Sequence, residues 1–391
     1  MAPRLTSLAR RLNRGVQAML LLVGLTIPLG AFAEGPPLNL LVNAGFEPQS
    51  GSSSFSGQGA GPSAAADWET FNITRGTTTT EVLPVPGGKF ILHVTTDGWG
   101  DGVANVFLPF GTGPMQSVAF ARVLVVRGQV GLGTGNGGQT GFDAISRTIG
   151  AWETVAGIHG GSHANEFIVY ATSEDGAEFY VDSPSVLAVE SNGAAPGAIS
   201  SLRSGRACNG VFGGTFNGDV TVSTGQSCVF IDGTITGTVH QHGGNLVLAG
   251  GLIGTNVQIN GGAFSIGPLT TINGNLQAQG LPGSAFSQVC DSIVHGDLRV
   301  NDNVTPVQIG SISPSSCAGN VVRGHLQVNN NHGWSSIVAN TVGGNLQHND
   351  NTGASQVIGN AVKKTLQCQN NRAIKHGLNT AQRIQGQCVE P

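Results

Sequence analysis

The sequence predicts an all-β protein, an antiparallel sandwich followed by a right-handed parallel β-helix, and three observations predict it. Glycine accounts for 61 of 391 residues and charged groups for only 10%, yet the glycines are spaced among Val, Leu and Ile, as in short strands joined by tight turns. A short motif centred on Val or Leu recurs through the second half with a step near 20 residues. Six cysteines fall into three local pairs there, Cys208 with Cys228, Cys290 with Cys317 and Cys368 with Cys388.

In chain order, residues 1–33 carry Arg4, Arg10, Arg11 and Arg14, an apolar run from Ala18 to Leu29, and Ala31-Phe32-Ala33. This is the pattern of a secretory signal peptide. The run is too short for a stable membrane span and no Cys follows it to accept a lipid, so the expected mature chain begins near Glu34. The expected location is secreted, periplasmic or cell-surface, a bacterial export route in which disulfides are permitted.

Residues 34–190 read as the sandwich, with strands over Leu38 to Val42, Phe90 to Val94, Val103 to Leu108, Val118 to Val126, Glu166 to Tyr170 and Glu178 to Val181. Pro and Gly clusters punctuate them. Residues 191–206, rich in Ser, Gly, Ala and Pro, read as a linker. Without the four signal arginines the chain has 14 basic and 22 acidic groups. Residues 34–190 hold 15 acidic against 5 basic, and residues 191–391 hold 7 against 9. Neither part has the basic stripe that nucleic acid requires.

Residues 207–391 read as the β-helix. Gly218-Asp-Val-Thr-Val, Gly237-Thr-Val-His-Gln, Thr255-Asn-Val-Gln-Ile, Gly274-Asn-Leu-Gln-Ala, Gly296-Asp-Leu-Arg-Val, Gly324-His-Leu-Gln-Val, Gly344-Asn-Leu-Gln-His and Lys364-Thr-Leu-Gln-Cys align with steps of 19, 18, 19, 22, 28, 20 and 20. This period is half of a propeller blade and fits one solenoid coil. The third position, Val220, Val239, Val257, Leu276, Leu298, Leu326, Leu346 and Leu366, is expected to face inward. The fifth, Val222 through Val328, His348 and Cys368, shares that face. Cys388, 20 residues beyond Cys368, extends the column in this reading.

Residues one coil apart lie about 4.8 Å from each other, and a disulfide wants Cα atoms roughly 4.4 to 6.8 Å apart. The local pairs therefore fit staples between successive coils, with other connectivities left open. The Cys290–Cys317 pair departs from the 20-residue step at 27 and falls within the 28-residue coil, as expected if it ties down an insertion. Asn301-Asp-Asn, Asn329-Asn-Asn, Asn349-Asp-Asn and Gln369-Asn-Asn follow the motif and read as coil corners, because Asn tolerates left-handed turns and stacks in ladders.

Candidate chemistry is sparse. Asp219 and Asp297 share a column four coils apart, about 19 Å, too far to cooperate in glycoside hydrolysis. Asp302 and Asp350 lie two coils apart, about 9.5 Å, at the outer limit for a catalytic carboxylate pair. His240 and His242 offer half a metal site without an evident third ligand. Lys363, Lys364, Arg372, Lys375 and Arg383 either meet an anionic polymer or keep the end of the stack soluble. In the sandwich, Trp68, Trp99 and Trp152 are candidate carbohydrate platforms, since an exposed aromatic face suits the C–H face of a sugar. For each, burial in the core is the competing reading. Trp99 stands out, placed by Asp97-Gly-Trp-Gly-Asp101 between glycines and carboxylates.

Asn39-Leu-Leu-Val-Asn-Ala-Gly-Phe-Glu47 and Ala177-Glu-Phe-Tyr-Val-Asp182 resemble the two ends of CenC-type carbohydrate-binding modules and related galactose-binding-like jelly rolls. The resemblance implies a jelly roll, a glycan ligand on a polysaccharide or cell surface, and a structural Ca²⁺ with Glu47 and Asp182 as candidate ligands, carboxylate oxygens being suited to calcium. Ser183-Pro184 departs from the family, where another acid and a valine often follow. The second half resembles the repeat region of secreted bacterial β-helix proteins, which brings no catalytic residues. The expectation is an exported, non-catalytic glycan-binding or surface-associated protein. The alternatives are a polysaccharide lyase or glycoside hydrolase working in the β-helix groove, and a structural or self-assembling surface protein.

Overall fold

A computed structural model of the protein describes residues 41, 45–73, 75–85, 89–106, 115–135, 144–160, 166–190, 197–198, 200–202, 207–283, 286–311 and 317–389. Residues 1–33, read above as a signal peptide, and the strand expected over Leu38 to Val42, Leu41 apart, lie outside them. The chain from Gly35 to Pro391 forms one compact unit, and every regular element described is a β-strand.

Twelve strands build the sandwich: β1 (Ser52–Ser56), β2 (Gly59–Pro62), β3 (Trp68–Asn72), β4 (Thr77–Val85), β5 (Lys89–Thr96), β6 (Gly102–Val106), β7 (Met115–Arg127), β8 (Val130–Gly135), β9 (Ala144–Ile145), β10 (Trp152–Gly160), β11 (Glu166–Ala171) and β12 (Glu178–Glu190). One sheet orders them β1-β4-β5-β12-β7-β10 and ends on Gly197–Ala198; the other runs β2-β3-β6-β11-β8-β9. Pairing within both is antiparallel. Phe46, Leu92, Leu132, Phe167 and Phe179 are fully buried between the sheets. Ser183, at φ 49°, and Pro184 lie where the register of β12 against β7 shifts, between Asp182 and Ser185. The departure from the family pattern is therefore a bulge inside a continuing strand.

β7 reads Val118-Ala-Phe-Ala-Arg-Val-Leu-Val-Val, an apolar run with little alternation, because both of its faces are covered. Ala119, Ala121, Val123 and Val125 face the sandwich core. Val118 and Phe120 face the other way and pack on Val211, Val229, Ile231, Val247 and Ala249 of the first solenoid coils. Within residues 191–206, Gly197–Ala198 pairs with β10 and Ser200–Ser201 pairs with the first solenoid strand, Gly210–Phe216.

The solenoid is a 24-stranded parallel array, three short strands to a coil. Its first sheet holds the predicted motif in the predicted register: Val220, Val239, Val257, Leu276, Leu298, Leu326, Leu346 and Leu366 pair in sequence. All are buried in one continuous core. The second sheet contains Asn245–Ala249, Ala263–Ile266, Ser287–Val289, Val307–Ile309, Ser335–Val338 and Ala354–Ile358; the third contains Leu252–Ile253, Thr271–Ile272, Ile293–Val294, Val321–Val322 and Thr341–Val342.

Corners between the sheets are built on asparagine. Asp302, Asn330, Asp350 and Asn370 adopt left-handed backbone, φ 56–60°, at the corner between the first and second sheets, as the triplets predict. Each triplet's last residue turns inward, where Asn303, Asn331, Asn351 and Asn371 form a buried ladder of Nδ2-to-Oδ1 bonds of 2.9–3.0 Å. A second buried ladder, Asn320, Asn340, Asn360 and Asn379, lines the corner between the second and third sheets. Backbone N–H groups of one coil donate to the Asn Oδ1 atoms of the next, so corner groups that the ladders miss are satisfied without water.

All three cysteine pairs are bonded, with Cα–Cα distances of 5.1, 4.7 and 5.3 Å. The ladder register corrects one detail. Cys368 pairs with Gly386, and Cys228 with Gly210, so Cys388 and Cys208 each stand two residues outside the ladder. The outer bridges therefore fasten the chain as it enters and leaves the stack, instead of joining residues in register. Cys317, which lies between Val307–Ile309 and Val321–Val322 in the 28-residue coil, is bonded to Cys290.

Candidate functional site

Where the sandwich meets the solenoid, a cleft of about 1180 Å³ opens beside the third sheet. Its sandwich wall follows from strand alternation. Trp152 pairs with Leu124 and Thr154 with Arg122 across β10 and β7, and the Arg122 guanidinium lies 5.0 Å from the centre of the Trp152 ring. Asp182, opposite Arg122 on β12, brings its carboxylate to 3.8 Å from the same guanidinium. Arg122 is thereby held between an anion and an aromatic face.

The solenoid wall is a ladder. Leu252, Thr271, Ile293, Val321 and Thr341 pair one to the next on successive coils and line the cleft, a straight track about 19 Å long at the strand spacing. Ile293 and Val321 are 38% and 41% exposed. Their inward neighbours Ile253, Ile272, Val294 and Val322 fill the core, so the track itself is rigid.

Acidic groups dominate the lining, with Glu153, Asp232 and Asp291 against Arg122. Burial raises the Asp232 carboxyl above the usual carboxylate range; the Thr154 hydroxyl and the Arg122 charge oppose this, and the Glu153 charge adds to it. Glu153 Oε1 accepts the backbone N–H groups of Arg147 and Thr148 at 2.8 and 2.9 Å. Asp232 and Asp291 both sit at φ 45°, three coils apart at the corner beside the track, roughly 14 Å. That is too far for paired catalysis.

The three predicted tryptophans separate. Trp68 is 4% exposed, packed at 4.9 Å on Phe46 and 6.0 Å on Phe167; it belongs to the core and offers a ligand no face. Trp99 is 43% exposed in a turn, beside buried Asp101, whose carboxylate accepts the Ile73 N–H at 2.9 Å. Trp152 is half-buried at the cleft. Glu47, half-buried, follows Phe46, while Asp182 is engaged by Arg122 and by the Ser183 hydroxyl at 2.9 Å. Among the described residues no group of three or more His, Cys, Asp or Glu side chains is arranged to hold a metal.

Elsewhere the solenoid's polar groups serve its own corners. Asn330 donates to Asp302 at 2.6 Å, and Asn370 donates to Asp350 at 3.0 Å. Asp219 accepts the Thr238 N–H at 2.7 Å, and Asp297 accepts the His325 N–H and the Arg299 guanidinium, both at 2.8 Å. His240 and His242 stack 6.3 Å apart. Sequence reasoning missed the cleft, since its sandwich wall, Arg122 to Thr154, and its solenoid wall, Asp232 to Thr341, are far apart in the chain.

The sequence matches no family model and no curated protein. Among solved structures, a CBM22-1 xylan-binding domain from Paenibacillus barcinonensis Xyn10C is 15% identical, covering 42% of this chain and 99% of that one at a TM-score of 0.28. The CBM22-1–GH10 modules of Clostridium thermocellum Xyn10B are 11% identical, with 47% of this chain and 33% of that one covered at a TM-score of 0.26. A catalytic domain of a GH87 α-1,3-glucanase is 12% identical, with 88% and 72% covered at a TM-score of 0.27. Likenesses at these TM-scores assign no function to this chain.

Proposed function

We propose that this protein is an exported, non-catalytic glycan-binding protein whose ligand lies along the cleft between sandwich and solenoid. The observation that carries the reading is the track Leu252–Thr271–Ile293–Val321–Thr341, which lines one cleft together with Trp152 and Arg122. A linear polymer of pyranoses presents alternating C–H faces and hydroxyls. The track presents methyl-rich side chains, Leu252, Ile293 and Val321, interspersed with the Thr271 and Thr341 hydroxyls, and the cleft adds an aromatic ring and hydrogen-bonding groups. Three carboxyl groups against one already paired guanidinium disfavour polyuronates and sulfated chains by like-charge repulsion, so the ligand class is a neutral glycan. Three disulfides suit an oxidising, extracytoplasmic setting.

A glycan array probed with the full chain, in calcium and again in EDTA, tests this. Binding confined to neutral glycans is expected; calcium dependence would implicate Glu47 and Asp182. Failure to bind any glycan in either buffer would overturn the proposal.

A second reading, hydrolysis in the same cleft, draws on the raised Asp232 carboxyl beside Glu153, since glycosidases pair a protonated with an ionised carboxyl. Both groups have structural duties, Glu153 at the 147–148 turn and Asp232 at a left-handed corner. Reducing-end release from bound polymers that is lost in Asp232→Asn would favour hydrolysis over binding.

A further inference from the structure

We propose a second carbohydrate platform on the solenoid, made by Phe286, Pro306 and Trp334 and suited to a neutral pyranose chain. It lies apart from the cleft, at the corner between the first and second sheets. Ser287, Val307 and Ser335 pair in register, so the residues before them occupy one column on three successive coils. The Ser287 N–H donates to the Pro306 carbonyl at 3.0 Å and the Val307 N–H to the Trp334 carbonyl at 2.9 Å. These bonds fix the column's backbone. The Phe286 and Trp334 rings stack on one another with centroids 6.4 Å apart and planes 27° from parallel, and Pro306 holds the intervening position of the column.

Trp334 is 37% exposed and Val304, in the same corner, 54%. Nothing in the core calls for either: the inward positions of these coils are already filled by Val307, Ile309 and Ile337. The rim is polar, with Asp302, held by Asn330 at 2.6 Å, as the flanking carboxylate. His332 Nδ1 and Thr352 Oγ1 lie 2.7 Å apart, and residues 303–308 and 331–336 include no Asp, Glu, Lys or Arg. A patch of two rings and a proline is far smaller than the roughly 1,200 Å² of a stable protein interface. It matches the C–H face of one or two sugars, and its rigidity removes the ordering cost of binding. With the cleft, it would give the rod two grips on one polymer or on two neighbouring chains.

The test uses the full chain with neutral gluco-, xylo-, manno- and N-acetylglucosamine oligosaccharides by titration calorimetry, and with the matching soluble polymers by affinity electrophoresis. Trp334→Ala should weaken polymer binding by about tenfold, the loss of one stacked ring. Trp334→Phe should recover most of it. Unfolding curves like that of the wild type would exclude a folding defect. Full-strength binding of every glycan by Trp334→Ala and Phe286→Ala, while Trp152→Ala loses it, would overturn the platform and leave the cleft reading standing. Loss in Trp334→Ala with none in Trp152→Ala would support the platform and count against the cleft. A wild type that binds none of these sugars would overturn both.

Discussion

Replacing Asn351 by Leu should destabilise the solenoid more than any surface change. The Asn351 amide is fully buried. Its Oδ1 accepts the backbone N–H and the Nδ2 of Asn331 at 2.9 and 3.0 Å, and its Nδ2 donates to the Val328 carbonyl and to Asn371 Oδ1, both at 2.9 Å. Leu fills a similar volume, so the cavity term is small. Four polar groups would lose a partner without access to water. At about 1–3 kcal/mol for each buried unsatisfied group, with some relaxation, a loss of about 4 kcal/mol follows. Urea unfolding followed by circular dichroism measures it as a fall in the midpoint at unchanged slope. Asn330→Gly, at the exposed left-handed position of the neighbouring triplet, should cost less than about 1 kcal/mol. An Asn351→Leu midpoint indistinguishable from the wild type would refute the claim that the inner ladder holds the corner.

Other predictions follow the same geometry. His348 is buried at an inward position, and burial lowers its imidazole to about 4 from 6.5. The unfolded chain takes up its proton below 6.5 and the folded chain resists until about 4. Stability should therefore be full above the first value and decline as pH falls to the second, by about 3 kcal/mol; His348→Val, measured in parallel unfolding curves, should lack this component. Burial raises Asp232, so its contribution to stability should decline as pH rises through its folded pKa, and Asp232→Asn should raise the melting temperature at pH 7 more than at pH 3. Removing the terminal staple with Cys368→Ala and Cys388→Ala should cost about 3 kcal/mol by the loop-closure estimate, with hydrogen exchange accelerating first in Thr380–Gly386.

Legibility in the sequence was uneven for physical reasons. The first sheet was readable to the residue because nearly all of its strands follow a Gly-containing corner and every one keeps a Leu or Val that can only face inward, as Leu276, Leu326 and Leu346 do. The second Asn ladder was as periodic, at Asn320, Asn340, Asn360 and Asn379, but single asparagines before a Val, Thr or Ala are quieter than triplets. The cysteine spacing of 20 coincided with the coil period, yet the first and last coils advance by 18 in the ladder, from Gly210 to Cys228 and from Cys368 to Gly386. β1 and β2 read Ser-Ser-Ser-Phe-Ser and Gly-Ala-Gly-Pro; as outer strands of their sheets they need little apolar surface and carry little signal. The cleft was invisible because no motif joins Trp152 to Asp232. Only the apolar outer face of β7, with Val118 and Phe120, hinted that the sandwich leans on another body.

Glycan binding in the cleft is tested most directly by calorimetric titration of the best neutral oligosaccharide from an array into the wild type and Trp152→Ala. Loss of the ring and its stacked guanidinium should weaken binding by at least about tenfold, while Trp68→Phe, inside the core, leaves affinity unchanged. Equal affinity for wild type and Trp152→Ala would contradict the assignment of the cleft.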